Sequence, residues 1–424
     1  MNRYQSQDEG FAPTDKRERM RARSLAAMIT ARSLTTLLIS GFFALAALAL
    51  PNSAHAQPCF PEGSLIKEYS SAPVWVIHRC VKFWVPNQYE LDVLGGWGRV
   101  RWVPDGTLAS VPHIPADNTM WVERTFPQNV QVVIAGASYG ALYDSQMFAQ
   151  LGGWANVIEI PLGSMWATPP GSGLTPVSWY PLSGTMIRER SRAPVWVVYD
   201  EIGYWVSDQD ELDWLFGWPN VHVIPDQIVA PFRRCPADGT LLKERTQAPV
   251  WVVYGCTRYW VSDPTELSVL GGWSQVKQVP NRSVTQNPPN YWPPVNSWPP
   301  EGARLTERTT RDIYMIVAGA KFYIPPSEYP YFVTPDIRVQ TVPYRALTSA
   351  PTGFNPIPNA PANGTAFRWR SGTTSYIFDG GWAYPISNPN DCPEQVNVVP
   401  DGSSTFLVAP GGQTRQMSCA PPIG

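Results

Sequence analysis

Five residues invite a catalytic reading first. Gly136-Ala137-Ser138-Tyr139-Gly140 has the Gly-x-Ser-x-Gly spacing of a nucleophile elbow, and Val132-Val133-Ile134 ahead of it suits the strand such an elbow needs. The surroundings argue otherwise. A hydrolase of that kind alternates strands with long helices, and this chain does not. The same stretch also aligns with Gly255-Cys256-Thr257-Arg258-Tyr259 and Ala318-Gly319-Ala320-Lys321-Phe322, which lack the serine and read as hairpin turns. Histidine is scarce. His78, His113 and His222 are the candidates beyond the N-terminal segment, and His222 takes the place of Arg101 and Lys277 in related stretches. Asp208, Asp210, Glu211 and Asp213 suggest calcium, but no glycine-turned loop with a distal bidentate glutamate accompanies them. They suit the first turn of a helix instead. No cofactor is implied.

The cysteines point to stapling. Cys59 and Cys80 stand within CFPEGSLIKEYSSAPVWVIHRC, and Cys235 and Cys256 at the same interval within CPADGTLLKERTQAPVWVVYGC. This symmetry selects Cys59–Cys80 and Cys235–Cys256 as disulfides, leaving Cys392 with Cys419. Each would close a loop of about twenty residues, worth about 3 kcal/mol in the chain-entropy view. Zinc is disfavoured, because no Cys-x-x-Cys or paired-histidine spacing occurs. An even cysteine count suits an exported chain. Arg17, Arg19, Arg21, Arg23 and Arg32 precede the apolar run Leu37 to Leu50, and Ala54-His55-Ala56 offers a cleavage site. Residues 1–56 are therefore expected to be a signal peptide. The apolar run is short for a membrane span, so no membrane insertion is expected after cleavage. A secreted or envelope-associated location follows, extracellular or periplasmic.

Residues 1–56 hold 7 basic and 4 acidic residues, leaving 25 against 30 in the remainder. A net acidic chain has no electrostatic footprint for nucleic acid. The 19 Trp and 45 Pro, with 44% hydrophobic residues, suit short strands and many turns.

These elements repeat. Six copies run from Cys59 to about Asp401, with second-strand anchors at Val74, Val130, Val195, Val250, Ile313 and Ser375, spaced by 55 to 65 residues. Their approximate bounds are 59–116, 117–180, 181–234, 235–300, 301–360 and 361–401, with a tail over 402–424. Each copy reads as three strands, a short helix and a closing strand. Asn87 with Glu90, Asp208 with Glu211, and Asp263 with Glu266 match capping boxes. Pro330 interrupts the fifth copy where a helix is expected, and Thr405 to Ser418 read as a stray half-unit. Pro-rich joins at 161–181, 280–300 and 349–361 suggest grouping in pairs.

Val-Trp-Val-Val-Tyr is apolar at every position. Neighbouring strand residues point to opposite faces, so both faces of each sheet must be covered. Stacked sheets achieve that. The expected fold is therefore all-β with short helices: a six-repeat array, best read as a β-propeller of four-stranded blades, with an open or paired array as the alternative.

The pattern Gly-Thr-Leu-x-x-Glu, Val-Trp-Val-Val, Tyr-Trp-Val-x-Asp, Glu-Leu-x-x-Leu-Gly-Gly-Trp, Val-x-x-Val-Pro resembles a repeat of secreted bacterial proteins, found alone or beside peptidoglycan hydrolase domains. The resemblance covers most of 59–401. It implies an extracellular, non-catalytic module and transfers no binding residues.

Two repeated residue sets remain as candidate binding groups. Glu68, Glu123, Glu189, Glu244 and Glu307 share one place, read either as a solvated strand end paired with neighbouring basic residues or as an acceptor of sugar hydroxyls. Trp97, Trp154, Trp218 and Trp273 follow helix-ending glycines, where they either pack or present a face for sugar stacking. The expected function is binding of cell-envelope or extracellular polysaccharide. A structural or protein–protein role is the alternative, and a serine hydrolase using Ser138 comes last.

Overall fold

The computed structural model describes residues 59–228, 235–286, 295–386, 396–403 and 407–409. The expected signal peptide, Cys392 and Cys419 lie outside them.

The fourth unit shows how one repeat folds. Strands Leu241–Glu244, Val250–Tyr254 and Thr257–Val261 form an antiparallel meander. The closing strand Val276–Val279 then pairs in parallel with the first, Leu241 opposite Val276. Sheet order is therefore third, second, first, closing, and the other five sheets repeat it. A parallel return needs a crossover. Here the helix Pro264–Val269 and the 3-10 turn Trp273–Gln275 provide it. The hairpin between second and third strands needs two residues at positive φ, as in a type I′ turn. Gly255 (54°) and Cys256 (61°) supply them, as Arg79 and Cys80, or Ala318 and Gly319, do elsewhere. Cys256 is bonded to Cys235, which ties this turn to the entry of the first strand. Cys59 and Cys80 are disulfide-bonded as well. Disulfides of this kind belong to a chain that folds in oxidising surroundings.

The same turn is held a second way in every unit. Its first backbone N–H donates to a side chain near the unit's start: Glu62, Asp117, Ser183, Asp238, Glu301 and Asn363 in turn. The sixfold homology is thus written into turn geometry as well as into the strands.

Both sheet faces are covered, as the unbroken apolar strands require. Leu65, Val76 and Phe83 of the first unit pack with Trp121, Val133 and Ile160 of the second. Val132 and Tyr139 of the second pack with Ile187, Trp196 and Val198 of the third. The pattern continues from third to fourth, fourth to fifth and fifth to sixth units. On the first sheet's remaining face, Ile66, Trp75 and Ile77 are covered by Leu108, Val111 and Leu174 from connecting segments. Burying one such side chain is worth about 1.5–3 kcal/mol, so stacking supplies most of the stabilisation. The Pro-rich joins do not break the stack into pairs. They fold back along the third strand, whose outer edge would otherwise be open. Lys82 donates to the Pro112 carbonyl, Ser138 to Ser178, Arg258 to Asn296 and Lys321 to Pro358. Leu407–Val408 adds a parallel strand to that edge of the sixth sheet, at Trp382 and Ala383. This described part of the expected half-unit therefore acts as the joins do.

Charge locks the stack. Each junction between consecutive units carries an arginine on a carboxylate whose side chain is at most 5% exposed. Arg124 reaches Glu90 (3.3 Å), Arg190 reaches Asp144 (2.7 Å), Arg245 reaches Glu211 (2.7 Å), Arg308 reaches Glu266, and Arg370 reaches Glu328 (2.6 Å). The capping boxes are therefore half realised. Asn87, Asp208 and Asp263 accept the N–H of Glu90, Glu211 and Glu266. The glutamate carboxylates turn outward to the next unit's arginine instead of back to the cap. The first unit has the exposed Tyr69 at the arginine position. The fifth unit differs from expectation too: Pro330 does not abolish the helix but sits in the first turn of Tyr329–Phe332, where its missing N–H costs nothing.

These pairs give the stability a pH signature. Burial would raise the Asp144 carboxyl, but hydrogen bonds from Arg190 and from the Met147 and Asp226 N–H groups outweigh it and hold the group below its ordinary value. Arg370, through its hydrogen bonds, holds Glu328 low as well. A carboxyl depressed in the folded state stabilises fully above its unfolded pKa, about 4, and loses that contribution as pH falls through the folded value. The urea midpoint should be flat from pH 8 to 6 and fall below about pH 4. Arg190→Ala and Arg370→Ala should lower it at pH 7 and flatten the acid fall. A midpoint unmoved by acid or by either substitution would contradict the locking role.

Candidate functional site

Ser138 lies in the third strand of the second unit, Ala137–Gly140, and is 1% exposed. Gly136, at φ 72°, belongs to the hairpin turn before it. The Ser138 Oγ donates to Gln131 Oε1 at 3.3 Å. The serine thus belongs to an edge strand covered by the returning connection at Ser178, buried beside an amide, and no strand-to-helix elbow presents it. The histidines stand elsewhere: His78 Nδ1 is 2.8 Å from Glu62, His113 Nε2 is 3.1 Å from the Thr175 carbonyl, and His222 Nδ1 is 3.2 Å from Asp117. A cleft of about 430 Å³ at the junction of the second and third units is lined by Asp117, Met147, Gln150, Arg190 and His222. Arg190 in it is engaged by Asp144 and Asp226, and His222 by Asp117.

The repeated glutamates are part of the frame. Glu123, Glu189, Glu244 and Glu307 are between 2% and 7% exposed. Their carboxylates accept backbone donors from the turn after the closing strand. Glu68 takes the Leu108 N–H and Glu123 that of Gly163, both at 2.8 Å. Glu244 takes Val284 and Thr285, and Glu307 takes Leu347 and Thr348. Glu189 meets Arg192 at 3.1 Å. Burial raises the Glu123 carboxyl, against the lowering effect of the Gly163 N–H. A buried or half-buried cation completes the arrangement in three units. Lys82, Arg258 and Lys321 donate to the carbonyls of Leu108, Val284 and Ile357. Burial lowers the pKa of each, with Glu68, Glu244 and Glu307 respectively opposing the shift. Both sequence readings of this glutamate set are corrected. Glu123, Glu189, Glu244 and Glu307 are buried rather than solvated, and the donors that reach Glu68, Glu123, Glu244 and Glu307 come from the fold. The adjacent arginines serve the inter-unit pairs instead.

The tryptophans are placed differently. Trp97, Trp154, Trp218 and Trp273 are 50%, 58%, 51% and 63% exposed, at the same structural place in four consecutive units. Each belongs to the 3-10 turn between the helix and the closing strand. Two left-handed residues precede it, Gly95 (φ 107°) and Gly96 (φ 69°) in the first unit, and turn the chain between helix and 3-10 turn. In the first and third units the indole is held. Trp97 Nε1 donates to Gln88 (3.0 Å), whose Nε2 donates to Asp92 (2.6 Å). Trp218, Gln209 and Asp213 repeat this at 3.2 and 2.6 Å. In the second unit, Phe148 packs edge-on to Trp154 at 5.5 Å. Gln88, Asp92 and Gln209 were not singled out from the sequence, and Asp213 only among the acidic residues weighed for calcium, although QYELDVLGGW and QDELDWLFGW share their spacing.

The third unit departs from its siblings at one further residue. Where the others have Gly95, Gly152 and Gly271, it has Phe216, at φ 76° and 83% exposed. A bulky residue in the left-handed region costs about 1–2 kcal/mol relative to glycine. The Arg188 guanidinium lies 6.0 Å from the Trp218 ring centroid.

No protein-family model matches the chain, and no curated protein matches it. Among solved structures, a chain of an intact ESX-5 inner membrane complex aligns over 97% of this chain and 98% of its own, at 12% identity and a TM-score of 0.12. A chain of the periplasmic assembly from the ESX-5 inner membrane complex aligns over 86% and 95%, at 11% identity and the same TM-score. Likeness at this level carries no argument about fold or function.

The serine's position makes a direct prediction. A fluorophosphonate probe should not label Ser138 in the folded protein, and Ser138→Ala should cost about 1 kcal/mol of stability, the worth of one hydrogen bond. Stoichiometric labelling lost in Ser138→Ala would reopen acyl-transfer chemistry.

Proposed function

We propose that this chain is a non-catalytic binding protein of the extracellular space or periplasm, and that it engages envelope or extracellular polysaccharide through the repeated tryptophans. The observation that carries this reading is the recurrence of a half-exposed indole at one place in four consecutive units. A core residue would be covered, and an incidental surface tryptophan would not recur in register. Indole faces suit the C–H surface of a pyranose ring, and neighbouring carboxylates and amides suit its hydroxyls. Nearby Asp92 and Asp213 supply such acceptors in two of the units.

Single sites of this kind are weak. Repetition on a locked frame converts them into avidity for a polymer, because each bound unit raises the effective concentration of ligand at the next. Among the described residues, no helix is long and apolar enough to cross a membrane.

Depletion from solution by insoluble peptidoglycan, chitin and cellulose tests the reading. At least one polymer should retain the protein. Each Trp→Ala substitution at 97, 154, 218 or 273 should weaken retention by about 3- to 10-fold, about 0.7–1.4 kcal/mol, and the fourfold variant should abolish it while remaining folded. Retention by none of the polymers, or undiminished retention of the fourfold variant, would overturn it.

A further inference from the structure

The four tryptophan sites are not equivalent, and the third unit carries the strongest departure. Resting on the polysaccharide reading above, we propose that the turn Gln209–Trp218 is the principal sugar subsite of the array: its two exposed rings, Phe216 and Trp218, take one or two residues of a β-linked, equatorially substituted hexopyranose chain, with Asp213 accepting a hydroxyl.

Three observations converge there. First, Phe216 adopts a left-handed conformation that its siblings reserve for glycine, and its side chain is the most exposed of all the large apolar side chains among the described residues. A residue that is both strained and unburied contributes nothing evident to folding. Residues of that kind concentrate at sites of recognition. Second, the Trp218 indole is fixed on two sides, by Gln209 at its nitrogen and by Arg188 over its ring. A held ring loses less freedom on binding, so its contact yields more affinity. The sibling cations at Arg188's position, Lys67 and Lys243, donate to carbonyls at the strand end, and Lys67 lies over Trp102 rather than Trp97. Third, Asp213 Oδ1 is occupied by Gln209, and its exposed carboxylate presents the second oxygen to solvent. Trp273 has no such surroundings: among the described residues it makes no side-chain hydrogen bond and no ring contact.

A pyranose chain with equatorial substituents has flat faces of axial C–H groups, which match consecutive aromatic rings. Its hydroxyls both donate and accept, which suits an acceptor carboxylate at the rim. The flanking Asp208 and Asp210 make a polyanionic glycan a poor fit here.

Phe216→Gly is the decisive variant, because it restores the sibling sequence and removes the strain. Calorimetric titration with chitohexaose and, separately, cellohexaose would be compared with melting temperature. The expected result is a melting temperature equal to or above that of the parent, with affinity for one of the two sugars at least 5-fold weaker. Phe216→Asn, also at ease in the left-handed region, should repeat it. Asp213→Ala should weaken binding at least 3-fold, and Trp273→Ala by less than 2-fold. Parent-like affinity of Phe216→Gly, a fall in its melting temperature, or equal losses from Trp273→Ala and Trp218→Ala would overturn the inference while leaving the tryptophan row in place. Failure of the parent protein to bind either hexasaccharide or any of the insoluble polymers would overturn the polysaccharide reading itself.

Discussion

Each repeat of this protein contributes a sheet of only four strands that is apolar on both faces. That constraint governs the rest of the structure. Val76, Ile77, Val197, Val198, Val252 and Val253 are adjacent strand residues pointing in opposite directions, and all are fully buried. No sheet can achieve this alone. Stacking in chain order satisfies it and yields five core clusters between consecutive units, and connecting segments cover the first sheet's outer face in a sixth.

A stack of small sheets leaves polar edges, and the repeat handles each with one recurring device. The hairpin turn is pinned by a side chain from the unit's start. The turn after the closing strand is pinned in four units by a buried or half-buried glutamate. The third strand's outer edge is covered by the returning connection in four units and by Leu407–Val408 in the sixth. The junction with the next unit is closed by an arginine on a buried carboxylate. Burying an ionised group without partners is costly, and here each buried carboxylate has hydrogen-bond or cationic partners that offset the penalty. What remains uncommitted on the surface is then informative. The indoles at 97, 154, 218 and 273, and Phe216, stand outside all four devices.

Much of this was legible from the residues. Strand positions, the six copies, the Cys235–Cys256 bridge and the helix caps follow from local patterns whose causes are local. The fates of charged side chains were less legible, because they depend on neighbours distant in sequence. Glu244 lies at a strand end, where a charge is ordinarily solvated, and its partners Val284 and Thr285 come some forty residues later. Glu266 was read as closing a capping box on its own helix, whereas Arg308 of the next unit takes its carboxylate. Phe216 was present in an otherwise glycine position, but only the backbone angle makes its strain visible. The parallel pairing of the closing strand was equally hidden, since strand direction within a sheet leaves no trace in a four-residue apolar run.

The claim beneath all of this is that a single unit cannot hide both of its faces. Circular dichroism of an isolated, disulfide-bonded fourth unit, residues 235–300, against the same measurement on the whole chain, tests it most directly. The account predicts no cooperative thermal transition for the lone unit and a cooperative one for the chain. A lone unit that melts cooperatively, with strand content to match, would contradict it.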